Sequence, residues 1–458
     1  METVSEVLKK AKRIHFIGIG GSGMCPLAEI LHAKGYHIQG SDNNESSIVD
    51  KIRNLGIPVM MGQKAENIKD ADMIVYSAAI QRGNPELEAA FLSGIPTFQR
   101  AELFGEITKS FKNCIGICGT HGKTTTTSMT TQMMINSGLD PSAVIGGKLP
   151  LTNSYGIVGN SENIVCESCE FQDTFLHLYP NVAVILNVDQ DHMEYFKTID
   201  NLILSFHKFA EKARSCIIYN GDDERTLKAI NGIEGKEMIS FGFDESNDYH
   251  PINIKEINGA YSNFDVIYQG KNLGNVTLSV PGKHNILNAL AAFAASIYSG
   301  ANFISCAKAL ENFKGAGRRF EHLGTYKGID FVDDYAHHPA ELKVTLETAM
   351  KMGYKNVWAV FQPFTFSRTS ILFDEFVEVL KIPNKCVITE IMGSREVNTY
   401  GVKSEQLAEK IPNAVYKKTF YDVSDYVLEN AEPGDLIITL GCGDVYKAAN
   451  MMISRINL

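Results

Sequence analysis

The run Gly119-Thr120-His121-Gly122-Lys123-Thr124 follows an apolar, strand-like stretch from Cys114 to Cys118 and precedes a long helical pattern. A strand that ends in glycines and turns straight into a helix commits the chain to an α/β arrangement with the turn at a sheet edge. The same residues suit a phosphate. Glycines let successive N–H groups face one anion, the lysine supplies charge, and a hydroxyl at the helix N-terminus can meet a magnesium ion. The strict phosphate-loop spacing asks for glycine at position 117, which is Ile117, and the nearest glycine is Gly116. A glycine-rich turn with an exposed lysine and no ligand is the competing reading.

A second turn of this kind lies upstream. Gly18-Ile19-Gly20-Gly21-Ser22-Gly23 separates a strand from Ile14 to Ile17 and a helix expected from Ser22 to Ala33, with Asp42 at the end of the next strand. Close backbone approach and a helix dipole at such a turn suit a pyrophosphate, whether of NAD, FAD, NADP or another diphosphate. Two phosphate-binding turns in separate domains imply two phosphorylated ligands.

At 458 residues the chain is too long for one core. Three domains are expected: 1-111, where further strands at Ile57 to Met60 and Met73 to Tyr76 continue a parallel Rossmann-like sheet; 112-317, with a mostly parallel sheet behind the phosphate loop; and 318-458, again alternating. In the last, a hairpin (Phe320 to Tyr326, Ile329 to Asp334) precedes helices from Pro339 and Ser370 and a strand from Leu436 to Leu440. The fold class is therefore α/β. A net charge of -10 argues against nonspecific nucleic-acid or anionic-membrane binding. No export signal or bilayer-length apolar run is read, so a cytoplasmic location with no membrane partner is expected. Nine scattered cysteines, including Cys166 and Cys169 as C-x-x-C, read as reduced thiols rather than a disulfide framework.

Polar residues gather where strands end. Glu167 and Glu170 end one strand and Asn187 to His192 end the next, so oxygen and imidazole donors reach the edge that carries the phosphate loop. Thr124 and Glu170 suit one magnesium ion, and His192 suits a second metal or a water; an Asp191–His192 loop pair is the plainer alternative. His284 and Asn288 lie four apart on one helical face, fit either to meet a nucleobase or merely to cap the helix. Asp333-Asp334-Tyr335-Ala336-His337-His338 with Arg318, Arg319 and Arg368 concentrates acid, base and cation in the third domain.

Taken together, these motifs resemble those of the Mur ligases, the ATP-dependent amino-acid ligases of peptidoglycan precursor synthesis. The resemblance spans essentially the whole chain and rests on Gly18 to Met24, Gly119 to Thr126, Phe175-Leu176-His177-Leu178, Asp191-His192-Met193, Gly282-Lys283-His284-Asn285, Arg318-Arg319-Phe320, Asp333 to Pro339 and Gln362-Pro363. It implies joining of L-alanine to the lactyl carboxylate of UDP-N-acetylmuramate through an acyl phosphate, with ATP and Mg2+, by a monomer or homodimer that needs no nucleic acid. A murein-peptide recycling ligase of the same family is the nearest alternative, and an NAD(P)-linked oxidoreductase a more distant one.

By the resemblance, Gly18, Gly20, Gly21, Ser22, Gly23, Met24, Asp42 and Ser77 would take the UDP-sugar. Gly119, Thr120, His121, Gly122, Lys123, Thr124, Thr125, His284, Asn288, Arg319 and Asp334 would take ATP. Thr124, Glu170 and His192 would hold metal, and Tyr335, His337 and Arg368 would face the amino acid or product. Lys123, His192, His337 and Arg368 would be the catalytic groups. Two departures stand out: Cys25-Pro26 replaces a small residue and glycine, and Phe364-Thr365 replaces a histidine and a frequent arginine.

Overall fold

The computed structural model describes residues 2–394 and 396–456. Five parallel strands, β1 (Arg13–Ile17), β2 (His37–Asp42), β3 (Val59–Met61), β4 (Met73–Tyr76) and β5 (Thr97–Gln99), form the first sheet in the order 3-2-1-4-5. The chain order reverses between β1 and β4, and open α/β sheets hold ligands beyond the strand ends at such a reversal.

The second sheet has ten strands: β6 (Asn113–Cys118), β7 (Ser142–Leu149), β8 (Ser154–Ile157), β9 (Asn163–Glu167), β10 (Val182–Ile185), β11 (Cys216–Asn220), β12 (Glu237–Phe241), β13 (Tyr249–Ile257), β14 (Tyr261–Tyr268) and β15 (Lys271–Thr277). Their order is 15-14-13-12-11-10-6-9-7-8. The strand β6, which feeds the phosphate loop, lies between β10 and β9 and is parallel to both. The third sheet orders β16 (Glu321–Tyr326), β17 (Ile329–Asp334), β18 (Val357–Phe361), β19 (Lys385–Ile388), β20 (Ala414–Tyr416) and β21 (Leu436–Leu440) as 16-17-21-18-19-20, with only β16 antiparallel.

Packing divides the chain into two compact units: Met1–Asn253 with Phe264–Val276 and Leu287–Phe313, and Ile254–Asn263 with Thr277–Ile286 and Lys314–Leu458. Central strands such as β10, β18 and β21 are buried along their whole length, as expected where helices cover both faces of a parallel sheet. The helix Lys123–Asn136 after the phosphate loop is rich in threonine, a poor helix former. Burial overrides that preference: Thr130 and Thr131 donate their hydroxyls to the carbonyls of Thr126 and Thr127 at 2.8 and 2.7 Å, which satisfies both inside the core.

Several boundaries differ from the sequence expectation. The first long helix starts at Cys25 rather than Ser22, because the turn closes on itself through Gly21 N–H to Gly18 and Met24 N–H to Gly21, and Pro26 supplies the first helical turn. In place of one helix from Ser370 there are two short ones, Phe366–Ile371 and Phe373–Val379. The Thr365 hydroxyl caps the first, accepting from Arg368 N–H at 3.3 Å. The antiparallel pair β7–β8 was not anticipated at all. Among the described residues no helix is long and apolar enough to cross a membrane, and the nine cysteines are free thiols.

Candidate nucleotide-binding active site

Beyond the ends of β1, β2 and β4 lies a cleft of about 450 Å³, lined by Gly18, Gly21, Asp42 and Ser77 together with Gln63 and Arg82. Four of the expected sugar-nucleotide residues thus share one cleft. Asp42 holds the turn itself: its Oδ2 accepts the Gly20 N–H at 2.9 Å, and its Oδ1 accepts the Asn44 N–H at 3.0 Å. A side chain at Gly20 would collide with that carboxylate at 2.9 Å, so glycine and aspartate are fitted to each other. Met24 is buried in the core, whereas Ser22 is exposed. Among the described residues, the N–H groups of Ser22 and Gly23 have no partner.

The phosphate loop is more tightly built. Gly119 and Gly122 hold φ of 146° and 85°, and an added Cβ would lie 2.8 Å from Leu186 and 2.4 Å from Asn288 respectively. These contacts demand glycine. Asn187 braces the loop, its Oδ1 accepting His121 N–H at 2.8 Å and its Nδ2 donating to the His121 carbonyl at 3.1 Å. Thr120 bonds to the Asp189 backbone in both directions. Asn288 receives the Thr126 hydroxyl at 3.2 Å, which places this residue against the loop. Thr125 is half-buried on the first helical turn, and His284 is exposed at the start of its own helix.

Lys123 donates to the carbonyls of Gly119 and Thr120 at 2.6 and 3.0 Å, and its ammonium lies 3.0 Å from Glu170 Oε2. Burial alone would lower its pKa; the Glu170 carboxylate outweighs that, and the net shift is upward. The Thr124 hydroxyl donates to Glu167 Oε1 at 2.9 Å, and Glu167 Oε2 accepts the Gly146 N–H from β7 at 2.6 Å. Thr124 therefore meets Glu167, not the Glu170 expected beside it. Phe171, next to Glu170, packs its ring 4.6 Å from that of His192, which has φ of 54°. The His121 ring, then the Gln190 N–H and the Arg225 guanidinium, hold the Asp189 carboxyl below its ordinary value against the opposing effect of burial.

Among the described residues no group of three or more His, Cys, Asp and Glu side chains is arranged to hold a metal unaided. Magnesium fits nonetheless. A hydroxyl and two carboxylates beside a phosphate loop are hard oxygen donors that leave coordination positions for phosphate and water, and the buried Glu170 carboxylate is engaged by the Lys123 ammonium.

In the second unit, Asp334 is buried between the N–H groups of Phe320 and Ala336, at 2.9 and 2.7 Å. Burial raises its pKa to about 6 against the opposing pull of Arg319. Tyr335 lies under the guanidinium groups of Arg318 and Arg319, at 5.0 and 5.2 Å, and its ring packs against His337. Glu341 accepts the His337 N–H at 3.1 Å and lies 3.3 Å from Nδ1, so this ring is held in place. Arg318 is committed elsewhere: it donates to Asp333, Gly441 and Gly443 and ties the end of β17 to the loop after β21. Arg368 acts with Arg318 on the half-buried Cys442 thiol, which burial pushes up to about 12. Tyr335 and His337 thus stand together, and Arg368 lies within electrostatic range of Cys442. The sequence places Glu167 and Asn187 at the strand ends beside the loop without giving their contacts to Thr124 and His121, and Arg82 and Glu341 are the members that motif reading missed.

Three family models cover the chain in order: Mur ligase family, catalytic domain, over residues 13–112; Mur ligase middle domain over 117–296; and Mur ligase, glutamate ligase domain over 318–443. The chain belongs to the Mur ligase family. This Mur ligase is 42% identical over 451 residues to the UDP-N-acetylmuramate--L-alanine ligase of Acetivibrio thermocellus, covering 97% of this chain and 96% of that one. To the enzyme of the same name from Caldanaerobacter subterraneus it is 41% identical, covering 98% of both. The crystal structure of the UDP-N-acetylmuramate-alanine ligase of Thermotoga maritima superimposes with a TM-score of 0.83 at 26% identity, over 97% of this chain and 99% of that one.

Proposed function

We propose that this Mur ligase joins L-alanine to the lactyl carboxylate of UDP-N-acetylmuramate, with conversion of ATP to ADP and phosphate, as a step of peptidoglycan precursor synthesis. The observation that carries the reading is the end-to-end likeness, at about 40% identity, to relatives named for this reaction.

A carboxylate resists attack by an amine, so it must first become a better electrophile. The lactyl carboxylate attacks the γ-phosphate of ATP to give an acyl phosphate and ADP; the alanine amine then attacks that carbonyl and phosphate leaves. The phosphate loop from Gly119 to Thr125 cradles the triphosphate, and Lys123 neutralises charge that builds on the transferring group. Lys123 must exchange its contacts with Glu170 and the loop carbonyls for phosphate oxygens to do so. Magnesium, when bound through Thr124, Glu170 and Glu167, supplies charge for the phosphates. His192 or His337 accepts the proton lost by the amine. His284 and Asn288 are assigned to adenine, Arg319 and Asp334 to ATP, and Tyr335 and Arg368 to the amino acid or product, following the family resemblance. The glycine turn, Asp42 and Ser77 are assigned to the UDP-sugar.

Phosphate release from ATP, measured with UDP-N-acetylmuramate and L-alanine, L-serine, glycine or a tripeptide in turn, tests the reading. Turnover is expected to be fastest with L-alanine. Turnover with the tripeptide alone would transfer the enzyme to peptide recycling, and none with any acceptor would sink the ligase reading.

A further inference from the structure

Arg100 opens the helix Arg100–Lys109 and has no role in any of the motifs above. Its side chain lies against the last glycine of the first turn: an added Cβ at Gly23 would be 3.3 Å from Arg100 Nη1. Its guanidinium lies within electrostatic range of Cys169, the neighbour of Glu170. Among the described residues no carboxylate is within ion-pair reach of it and no side-chain hydrogen bond engages it; its one recorded partner is the Phe104 ring at 6.0 Å. Burial lowers its pKa, as expected for a guanidinium held without a counter-ion.

A half-buried, unpaired arginine is costly unless an anion completes it, and its planar fork matches phosphate oxygens two at a time. The N–H groups of Ser22 and Gly23, beside it on the turn, donate to no other group of the described residues and are free to donate to the same anion. We propose that Arg100 is a substrate-binding residue that grips the diphosphate of the sugar nucleotide together with the turn from Ser22 to Gly23. The proposal rests on the sugar-nucleotide reading of this turn but not on the identity of the amino acid.

The test is direct calorimetric binding of UDP and of uridine to the full-length enzyme and to R100A, R100M and R100K. UDP affinity should fall on the order of 10- to 100-fold in R100A and R100M, while R100K, which keeps charge but not the fork, falls less. Uridine affinity should stay unchanged, which a merely structural defect would not permit. R100M preserves the apolar stem if R100A folds poorly. Unchanged UDP affinity in R100M overturns the proposal, even if the KM for UDP-N-acetylmuramate rises, because the arginine would then serve the lactyl carboxylate. UDP failing to bind the wild-type enzyme would instead overturn the sugar-nucleotide reading itself.

Discussion

The two glycine turns look alike in sequence and differ in how they are held. Each links a parallel strand to a helix, yet the first is fastened by the Ser41 carbonyl, which takes the Gly18 and Ile19 N–H groups, and by the Asp42 carboxylate, which takes Gly20 N–H, while its last two amides remain open beside Arg100. The phosphate loop is fixed from every side: Asn187 on its backbone, Asn288 against Gly122, and Lys123 folded back onto its carbonyls and Glu170. The difference matches the task. A turn that only binds a diphosphate can be pre-formed with its donors open. A loop that drives phosphoryl transfer needs its lysine charged and its carboxylates placed before ATP arrives, and an internal ion pair keeps that charge stable inside the fold.

If this contrast is right, K123A should have the largest effect of any single change at the turns. Turnover should fall about 10³-fold, while UDP binding at the first turn is retained; loss of both together would mean that the turns are not independent. Next comes G122A, because the new methyl would meet Asn288 at 2.4 Å in a backbone conformation with φ of 85°. A misplaced loop should lower kcat about 10²-fold. G18A is the matched control: φ is 81°, but its Cβ would make only an ordinary 3.5 Å contact with Ile80. It should cost about 1–2 kcal/mol of stability, read by urea denaturation, with kcat nearly intact. Equal kinetic damage from the two alanines would erase the distinction between the loops.

The sequence makes the turns themselves legible, because glycines between an apolar run and a helical pattern leave few alternatives. The three sheets follow from the same alternation, down to strands such as Met73–Tyr76 and Leu436–Leu440. What braces the turns is much less visible. Asn187, Asn288 and Glu167 reach the phosphate loop from other strands and a distant helix, contacts set by sheet order rather than by local spacing. The β7–β8 pair was missed because Gly146-Gly147 and Pro150 within it read as loop, although Gly146 is needed where Glu167 approaches to 2.4 Å of its would-be side chain. Arg100 gives no local signal at all: it looks like an ordinary first-turn residue until Gly23 is packed against it.

Removing the Asp42 latch is a smaller perturbation than either phosphate-loop change. D42A frees the Gly20 N–H and should raise the KM for the sugar nucleotide about tenfold, the worth of one hydrogen bond to a charged acceptor, with kcat little changed. D42N keeps an acceptor and should recover most of the loss; if it fares no better than alanine, the carboxylate serves the ligand rather than the turn.

The smallest expected effect is the absence of a slope. Glu170 holds the folded-state pKa of Lys123 above its ordinary value of 10.5, so the pair's contribution to stability is complete below that value and is lost only as pH rises through the higher one. The double variant K123M/E170Q replaces both charges with neutral groups of similar size. Its stability difference from the wild type should therefore be constant in denaturant unfolding from neutral pH to about 10, and should shift against the wild type only at still higher pH. A difference that changed near pH 8 would mean a lysine already shedding its proton, and a loop no better prepared for phosphate than the open turn that precedes it.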